Sequence, residues 1–376
     1  MLNATTRRAQ KQARYRCEHA RPGDADAIRR LLEQPMPGKV SFAMTHGADH
    51  RAAAMLASEH VCEVVVRDRS KPAPTVVGYG YRAVRPVYLN GTAARVGYLG
   101  GLRCDRALRA AFRVLGGAFD TLSGDREADE APFDLTSIMA DNAVVRRGLE
   151  KGLPGLPVYV PIGEMATLTL RTKRHGRLDK RVRAATDRDT VLIQSLLDVS
   201  APRYHGRQAW GVSPGARRVP GNTPAVADFL VYEGDHDDRG CLALWDQRAD
   251  KQIVIADLHP TLRRLRHAIN LAGFATGRPR LPGAGRRLNM AYASHAGFDL
   301  DHHATASALI AGVCTIAARR GIELISFGLP ADAPLLPRLA RRFKPWVSRS
   351  VIYAVADRGV PVNLDKRPVW MEVATL

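Results

Sequence analysis

The chain has 376 residues, of which 45% are hydrophobic and 25% are charged, and its formal net charge is +19. The length exceeds what one hydrophobic core usually holds, and the composition is that of a globular chain, so we expect two domains and exclude a disordered protein. Five widely spaced cysteines without a Cys-x-x-Cys pair argue against a disulfide framework or a zinc site and favour the cytoplasm. No apolar run is long enough to cross a membrane.

The strong positive charge has three explanations: nucleic acid or a membrane surface, an anionic small ligand such as a nucleotide-bearing cofactor, and a general bias toward arginine. Basic residues are scattered along the whole chain, and no zinc-finger, RNP or basic-zipper pattern is present. This distribution argues against nucleic acid as a partner and leaves the other two explanations open.

In chain order, residues 1–14 are polar and basic and are expected to form a tail. The first strand is expected at Tyr15–Ala20, and Asp24 is a good N-cap for a helix over Ala25–Gln34. A second, alanine-rich helix follows, then two β-branched runs and an Asn90-Gly91 hairpin turn. Strands in runs with flanking helices indicate an α+β domain with a mixed, mostly antiparallel sheet.

The stretch from Arg95 to Leu122 predicts a strand that runs directly into an amphipathic helix. The strand is expected to end at Cys104, and apolar side chains recur at helical spacing from Leu108 onward. A helix that starts directly after a strand offers free backbone N–H groups and the positive end of its dipole. Such a turn is suited to bind a phosphate or pyrophosphate.

The second half of the chain repeats the first. Asp187-Arg-Asp189 opens an apolar helix in the same pattern as Asp24-Ala-Asp26, and a hairpin, strands and helices follow again. An internal duplication is the most economical explanation. We place a basic linker at residues 173–182, between an N-terminal domain at 15–172 and a C-terminal domain at 183–376.

The first half resembles the GNAT superfamily of acyl-CoA-dependent N-acyltransferases, and the whole chain resembles a tandem GNAT protein. In the family, the turn between a central strand and its helix has the form (Arg/Gln)-x-x-Gly-x-(Gly/Ala), and its backbone binds the pyrophosphate of coenzyme A. The matching segment, Leu102–Ala111, keeps arginines and small residues but has no glycine. The resemblance implies two GNAT-like domains, of which the N-terminal one is the candidate catalyst. The other is degenerate, because its corresponding turn carries Asp and His side chains at 299–303.

The resemblance also implies where the cosubstrate, acetyl-CoA or another acyl-CoA, would bind. Its pantetheine chain would lie along the end of the central strand and its pyrophosphate in the turn. Asn142 would contact the pantetheine or the thiol, although an ordinary helix N-cap explains this residue equally well. The expected cofactor-binding residues are Leu102, Arg103, Cys104, Arg106, Leu108, Arg109, Ala110, Ala111 and Asn142.

Acyl transfer to an amine needs a polarised carbonyl, a base for the amine and a proton donor for the thiolate, and it needs no metal. Tyr98 and Asp105 flank the expected cleft. Tyr159 is a displaced candidate for the family's tyrosine proton donor, which is missing near Glu150. A core aromatic, a turn residue and a packing residue are the respective structural alternatives for Tyr98, Asp105 and Tyr159.

The resemblance therefore implies an enzyme that transfers an acyl group, acetyl in the first place, from acyl-CoA to a small-molecule or peptide amine. The missing glycines and the missing tyrosine favour the alternative of a non-catalytic GNAT-fold binding or regulatory protein. A second copy of the chain, in a homodimer, is the other partner that we consider, and a membrane is not expected.

Overall fold

The structure is a computed structural model, and it describes residues 14–36, 38, 40–46, 50–55, 57–70, 72–105, 115–152, 154–172, 177–211, 223–235 and 238–376. The strands are β1 (Tyr15–His19), β2 (Val40–His46), β3 (His60–Asp68), β4 (Thr75–Leu89), β5 (Thr92–Cys104), β6 (Phe133–Met139), β7 (Val158–Arg171), β8 (Val182–Ala184), β9 (Phe229–Glu233), β10 (Arg239–Trp245), β11 (Lys251–Leu258), β12 (Met290–Gly297), β13 (Leu324–Pro330) and β14 (Trp346–Ala356). The helices are α1 (Ala25–Leu32), α2 (His50–Met55), α3 (Leu115–Gly124), α4 (Ala143–Glu150), α5 (Thr190–Ser200), α6 (Pro260–Thr276), α7 (His303–Arg319) and α8 (Leu335–Phe343).

Twelve strands form one continuous sheet in the order β1-β3-β4-β5-β6-β14-β7-β13-β12-β10-β9-β8. The two halves of the sheet correspond strand by strand when each is counted inward from its own edge. The series from one edge is β1-β3-β4-β5-β6, and the equivalent series from the other edge is β8-β9-β10-β12-β13. In both halves the last pair of this series, β5 with β6 and β12 with β13, is parallel. The internal duplication is therefore visible in the topology, and the fold is α+β as expected.

Each half donates its last strand to the other half. β7 ends the first half of the chain but pairs with β13, and β14 ends the second half but pairs with β6. The two donated strands pair with each other, from Trp346 opposite Thr169 to Ala356 opposite Val158. A second, two-stranded sheet of β2 and β11 also joins the halves.

The start of each half has the same local structure. A 3-10 turn ends at Asp24 in one half and at Asp189 in the other. Each carboxylate accepts a hydrogen bond from the backbone N–H three residues earlier, at 2.8 Å and 2.7 Å, and is paired with an arginine. In the structure Asp24 therefore corresponds to Asp189. The sequence pattern had aligned it with Asp187, two residues earlier.

Most predicted elements are present within one to four residues of the expected bounds. The two short strands β2 and β8 were not expected from the sequence. The helix expected from residue 107 is described only from Leu115, and residues 106–114 lie outside the described ranges. Within the described part of the chain, no helix is both long and apolar enough to span a membrane.

Candidate active site

The parallel strands β5 and β6 separate halfway along their length. Between the described residues of the two strands, the recorded ladder pair is Tyr98 with Leu135. Thr136 Oγ1 donates to the Leu99 carbonyl oxygen at 2.7 Å directly beyond this pair. From there β5 follows β4 as far as Cys104, and β6 follows β14 as far as Met139. Within the described residues no ladder pair of β5 with β6 follows, so the two strands separate here, and we call the gap between them the first splay.

The path of β5 at the first splay depends on a β-bulge. Tyr81 pairs with Gly100 and Tyr79 pairs with Arg103, so β5 has one extra residue between these pairs. Gly101 adopts φ +65°, and a Cβ there would lie 2.7 Å from the Tyr81 ring. Only glycine fits this backbone at low cost, and a bulge of this kind bends the strand and turns its polar groups away from the ladder.

Just before the splay, β5 is held between two ion-paired strands. Arg82 on β4 reaches across Gly97 to Asp134 on β6, with Nε 2.9 Å from Oδ1, and also pairs with Glu130. All three side chains are almost fully buried. A Cβ at Gly97 would overlap the Asp134 carboxylate, so the glycine makes room for the crossing.

The expected cofactor residues that are described lie at or near the open end of the splay. Leu102 is exposed, Arg103 donates from Nη1 to the Leu102 carbonyl oxygen at 2.9 Å, and Cys104 ends the strand. Asn142 is the N-cap of α4, since its side chain accepts from Val145 N at 3.5 Å. The remaining expected residues, Arg106, Leu108, Arg109, Ala110 and Ala111, lie outside the described residues.

The three expected catalytic residues lie in different places. Tyr98 is buried at the start of the splay, and its hydroxyl is hydrogen-bonded by the Ser137 backbone of β6, although burial still raises its pKa well above the ordinary value. Asp105 follows β5 and is exposed. Tyr159 is on β7, which β14 separates from β6, and burial raises its pKa too.

Tyr353, which was not predicted from the sequence, lies beside Glu150, where the first half has no tyrosine of its own. Tyr353 on β14 accepts a hydrogen bond from Arg146 Nε at 2.8 Å and donates to Glu150, both on α4. The tyrosine was expected near Glu150, and no signal in the first half could reveal it because its strand comes from the other half. Burial is the main cause of the raised pKa of Tyr353.

The second half has a matching splay, and the chain itself fills it. β12 and β13 pair from Met290 to Tyr292 and then separate. His295 N on β12 donates to Glu372 Oε2 at 3.0 Å, and Trp370 Nε1 donates to the Gly328 carbonyl oxygen of β13 at 2.8 Å. Side chains of the segment 369–376 thus lie between these two strands where their ladder ends.

Two cations lie where the halves meet, beside the start of the first splay. Arg85 on β4 is 3% exposed, places Cζ 4.4 Å from the Tyr98 ring centroid and donates from Nε to Ser58 Oγ at 3.2 Å. Lys251 on β11 donates from Nζ to the Ala374 carbonyl oxygen at 2.8 Å. Burial, followed by the charge of Arg85, lowers the pKa of Lys251 to about 7. We call Arg85 and Lys251 the central cation pair.

One cluster of described side chains has the spacing of metal ligands, although no metal site is expected from the sequence. His19, Cys62 and Asp125 bring their ligand atoms within 4.8 Å of one another. The Cys62 thiol donates to Asp125 at 2.6 Å, and burial raises the pKa of this thiol to about 12. These three side chains have the ligand types of a metal site, so the expectation of no metal stays a prediction.

Comparisons with known proteins give the same fold. A GCN5-related N-acetyltransferase from Sphaerobacter thermophilus matches with a TM-score of 0.55 and 13% identity, over 94% of this chain and 99% of that chain. N-myristoyltransferase from Saccharomyces cerevisiae with bound myristoyl-CoA matches with a TM-score of 0.56 and 12% identity, over 95% and 85% of the two chains. No protein-family model and no curated protein matches. The chain therefore has the fold of the GCN5-related N-acetyltransferases, the GNAT fold, over nearly its whole length and in a two-domain form.

Proposed function

We propose that the protein is an acyl-CoA-dependent N-acyltransferase and that its N-terminal half binds the acyl-CoA in the first splay. The observation that carries this proposal is the contrast between the two splays. One is filled by the chain's own residues 369–376, whereas between the described residues of β5 and β6 no ladder pair is recorded beyond Tyr98 and Leu135. An extended ligand with amide groups suits the gap between two separated strands.

In this proposal the backbone of residues 100–104 binds the pantetheine chain and polarises the thioester carbonyl, next to Leu102, Arg103 and Cys104. The pyrophosphate binds in the turn after β5, which contains Arg106, Leu108, Arg109, Ala110 and Ala111, and Asn142 lies beside the thiol. The myristoyl-CoA bound to the yeast protein of like fold supports an acyl-CoA as cosubstrate, and we name acetyl as the first acyl group to try.

The reaction requires two proton transfers. The acceptor amine loses a proton as its nitrogen attacks the thioester carbon, and the carbon–sulfur bond breaks as the thiolate gains one. We assign the second proton to Tyr353 on β14, because its hydroxyl is hydrogen-bonded to Arg146 and Glu150 of α4. Asp105, at the far end of β5, remains the candidate for the base. Tyr98 stays protonated because burial raises its pKa, so its hydroxyl is suited to orient the amine and not to deprotonate it. Tyr159 is the alternative donor.

The test combines binding with turnover. The protein is titrated with acetyl-CoA, myristoyl-CoA and the unreactive analogue desulfo-CoA, and its melting temperature is followed. It is then incubated with each acyl-CoA and a panel of amines, and the released thiol is measured with a thiol reagent. Stabilisation together with amine-dependent thiol release supports the proposal. Absence of stabilisation at millimolar cosubstrate contradicts it, and stabilisation without thiol release from any acyl-CoA favours the non-catalytic alternative.

A further inference from the structure

Three side chains of metal-binding type converge at one edge of the sheet, on elements that do not form the first splay. His19 lies on the edge strand β1, Cys62 lies on β3, and Asp125 directly follows α3. The pairing of β1 with β3 ends with His19 opposite Val64, two residues from Cys62. The fold therefore brings together three ligand types that are distant along the chain, and a Cys-x-x-Cys pair is not needed for this.

The distances between the three ligand atoms suit one small cation. Cys62 Sγ lies 3.4 Å from His19 Nδ1, which lies 3.7 Å from Asp125 Oδ2. Zn²⁺ bonds of about 2.0–2.3 Å place neighbouring ligand atoms of a tetrahedral site about 3.3–3.7 Å apart. The third distance, 2.6 Å from Cys62 Sγ to Asp125 Oδ2, is that of a hydrogen bond and has to lengthen by about 1 Å around an ion. The Asp125 side chain is 32% exposed, so a rotation of its carboxylate can supply this movement.

The donor set favours zinc over a hard cation. A thiolate and an imidazole are ligands that Zn²⁺ prefers, whereas Mg²⁺ and Ca²⁺ take oxygen ligands. Cys62 is buried, but the side chain of His19 is 58% exposed, so the cluster reaches solvent on its outer side. Three protein ligands and one water molecule would complete the four-coordinate shell of Zn²⁺.

The surroundings of Asp125 differ from those of the carboxylates that form structural ion pairs. Asp68, on the same edge of the sheet, pairs with an arginine. Among the described residues, the recorded ion pair of Asp125 is with His19, and the neighbouring Arg126 pairs with Asp134 instead. Asp125 thus faces a thiol and an imidazole in a chain that has 56 lysine and arginine residues. This is the setting of a metal ligand and not of an arginine–carboxylate pair.

We propose that His19, Cys62 and Asp125 bind one Zn²⁺ ion and that this ion holds the end of α3 against β1 and β3. The thiol proton that Asp125 accepts is released to solvent when the thiolate binds the ion. Phe119 and Leu122 of α3 already pack in one apolar cluster with Cys62. The ion therefore adds a polar cross-link beside an apolar contact. It stabilises the N-terminal half, takes no part in acyl transfer and is independent of the proposed function.

The experiment measures zinc binding by the whole chain without an affinity tag. The protein is treated with a chelator, the chelator is removed, and Zn²⁺ is titrated by isothermal titration calorimetry while the melting temperature is followed in parallel samples. We expect one ion per chain and a melting temperature that rises with the Zn²⁺ concentration. Co²⁺ should bind at the same position and show the charge-transfer absorption of a cobalt–thiolate bond.

Single variants identify the ligands. His19→Ala removes an exposed imidazole and should leave the fold intact, whereas Cys62→Ala removes a buried thiol. Each should lower the affinity for Zn²⁺ by more than about a hundredfold, because loss of an outer-shell partner already costs about tenfold to a hundredfold. Cys17→Ala is the matched control, since this thiol lies beside Gly117 of α3 and is not one of the three ligands. It should keep the zinc affinity and the cobalt–thiolate absorption.

The outcomes separate zinc binding from folding, because a variant that is only destabilised still gains melting temperature when Zn²⁺ is added. If Cys62→Ala does not fold, His19→Ala decides the question. Absence of zinc binding by the native protein at micromolar Zn²⁺ overturns the inference. So does native affinity in His19→Ala, or a cobalt–thiolate absorption that is lost in Cys17→Ala and kept in Cys62→Ala. All of these outcomes leave the acyltransferase proposal intact, because that proposal is tested with acyl-CoA and desulfo-CoA.

Discussion

Arg82 and Asp134 form an ion pair at 2.9 Å that crosses β5 at Gly97 and fixes β4 to β6 directly before the first splay opens. Strand pairing alone could continue along the whole of β5 and β6. The crossing holds the strands together on one side of Tyr98, and the bulge at Gly101 directs β5 away on the other. The cleft is therefore fixed by side chains of the first half, independently of any ligand.

Removal of the Arg82–Asp134 ion pair should strongly lower the stability of the protein. Arg82→Met leaves Asp134 and Glu130 buried without their main partner, and breaking one side of a buried pair costs about 3–5 kcal/mol. We expect the free energy of unfolding in urea to fall by about this amount. Arg126 also donates to Asp134, at 2.9 Å, and should limit the loss. Arg95→Met is the control, because Arg95 makes its ion pairs at the surface and should change stability little. Equal losses in the two variants would contradict the role of the crossing.

The bulge should be needed for acyl-CoA binding. In Gly101→Ala the new methyl group meets the Tyr81 ring and the backbone keeps a positive φ, so β5 should move toward β6. Since ~1.4 kcal/mol is a factor of ten, we expect desulfo-CoA affinity to fall by about tenfold or more. Isothermal titration calorimetry measures the affinity of the variant and of the native protein for desulfo-CoA.

The matched control for the bulge is Gly359→Ala. Gly359 has φ +87° but open space around its Cα, so this substitution adds the backbone strain without the clash. It should lower stability and leave the affinity for desulfo-CoA unchanged. A loss of affinity in Gly359→Ala as large as in Gly101→Ala would show that general destabilisation, and not the bulge, is responsible.

Part of this site could be predicted from the sequence because it is local. The strand that ends at Cys104, the helix after it and the N-cap Asn142 depend on short patterns of apolar, capping and turn residues. The exchange of β7 and β14 could not be predicted, because both strands are apolar runs whose partners in the other half lie 153 to 223 residues away along the chain. Tyr353 was missed for this reason.

The central cation pair was also out of reach of the sequence. Nothing in the residues around Arg85 or Lys251 distinguishes them from the many other basic side chains of the chain. What distinguishes Arg85 is its burial without an ion pair among the described residues, and what distinguishes Lys251 is the burial that lowers the pKa of its amine. The sequence pattern also gave the wrong alignment of the two halves. It matched Asp24 with Asp187, whereas the residue with the same contacts in the structure is Asp189.

Tyr353 and Tyr159 can be told apart by their pH profiles. Tyr353→Phe removes the hydroxyl that lies between Arg146 and Glu150, so we expect kcat to fall by about tenfold to a hundredfold, the low end of general acid catalysis. The alkaline limb of the kcat profile should be lost as well. Tyr159→Phe is the matched control, since Tyr159 packs between Phe119 and Tyr353. If Tyr159→Phe shows the larger effect, the donor is Tyr159.

Trp370 should be important for stability and not for the acyl-CoA cleft. Its ring lies 4.3 Å from the Arg207 guanidinium and its Nε1 donates to β13, so it closes the second splay. Trp370→Ala should lower the free energy of unfolding by about 3–5 kcal/mol, as for other buried aromatic residues. Desulfo-CoA binding in the first splay should be unchanged at temperatures where the variant is folded. A second molecule of desulfo-CoA bound to the variant would show that residues 369–376 occupy a usable cleft.

The low pKa of Lys251 has a consequence for stability. The unfolded chain keeps a proton on this amine up to its usual pKa near 10.5, whereas the folded chain releases it near 7. Between these values the unfolded state binds more protons than the folded state. The destabilisation caused by burying the protonated Lys251 amine therefore decreases as the pH rises, and the protein becomes more stable. Arg85 opposes the protonated amine, and Asp250 acts in the other direction. Lys251→Met should therefore raise the melting temperature most at pH 6 to 7, and the gain should shrink toward pH 10. A melting-temperature difference that is constant with pH would contradict the assigned pKa.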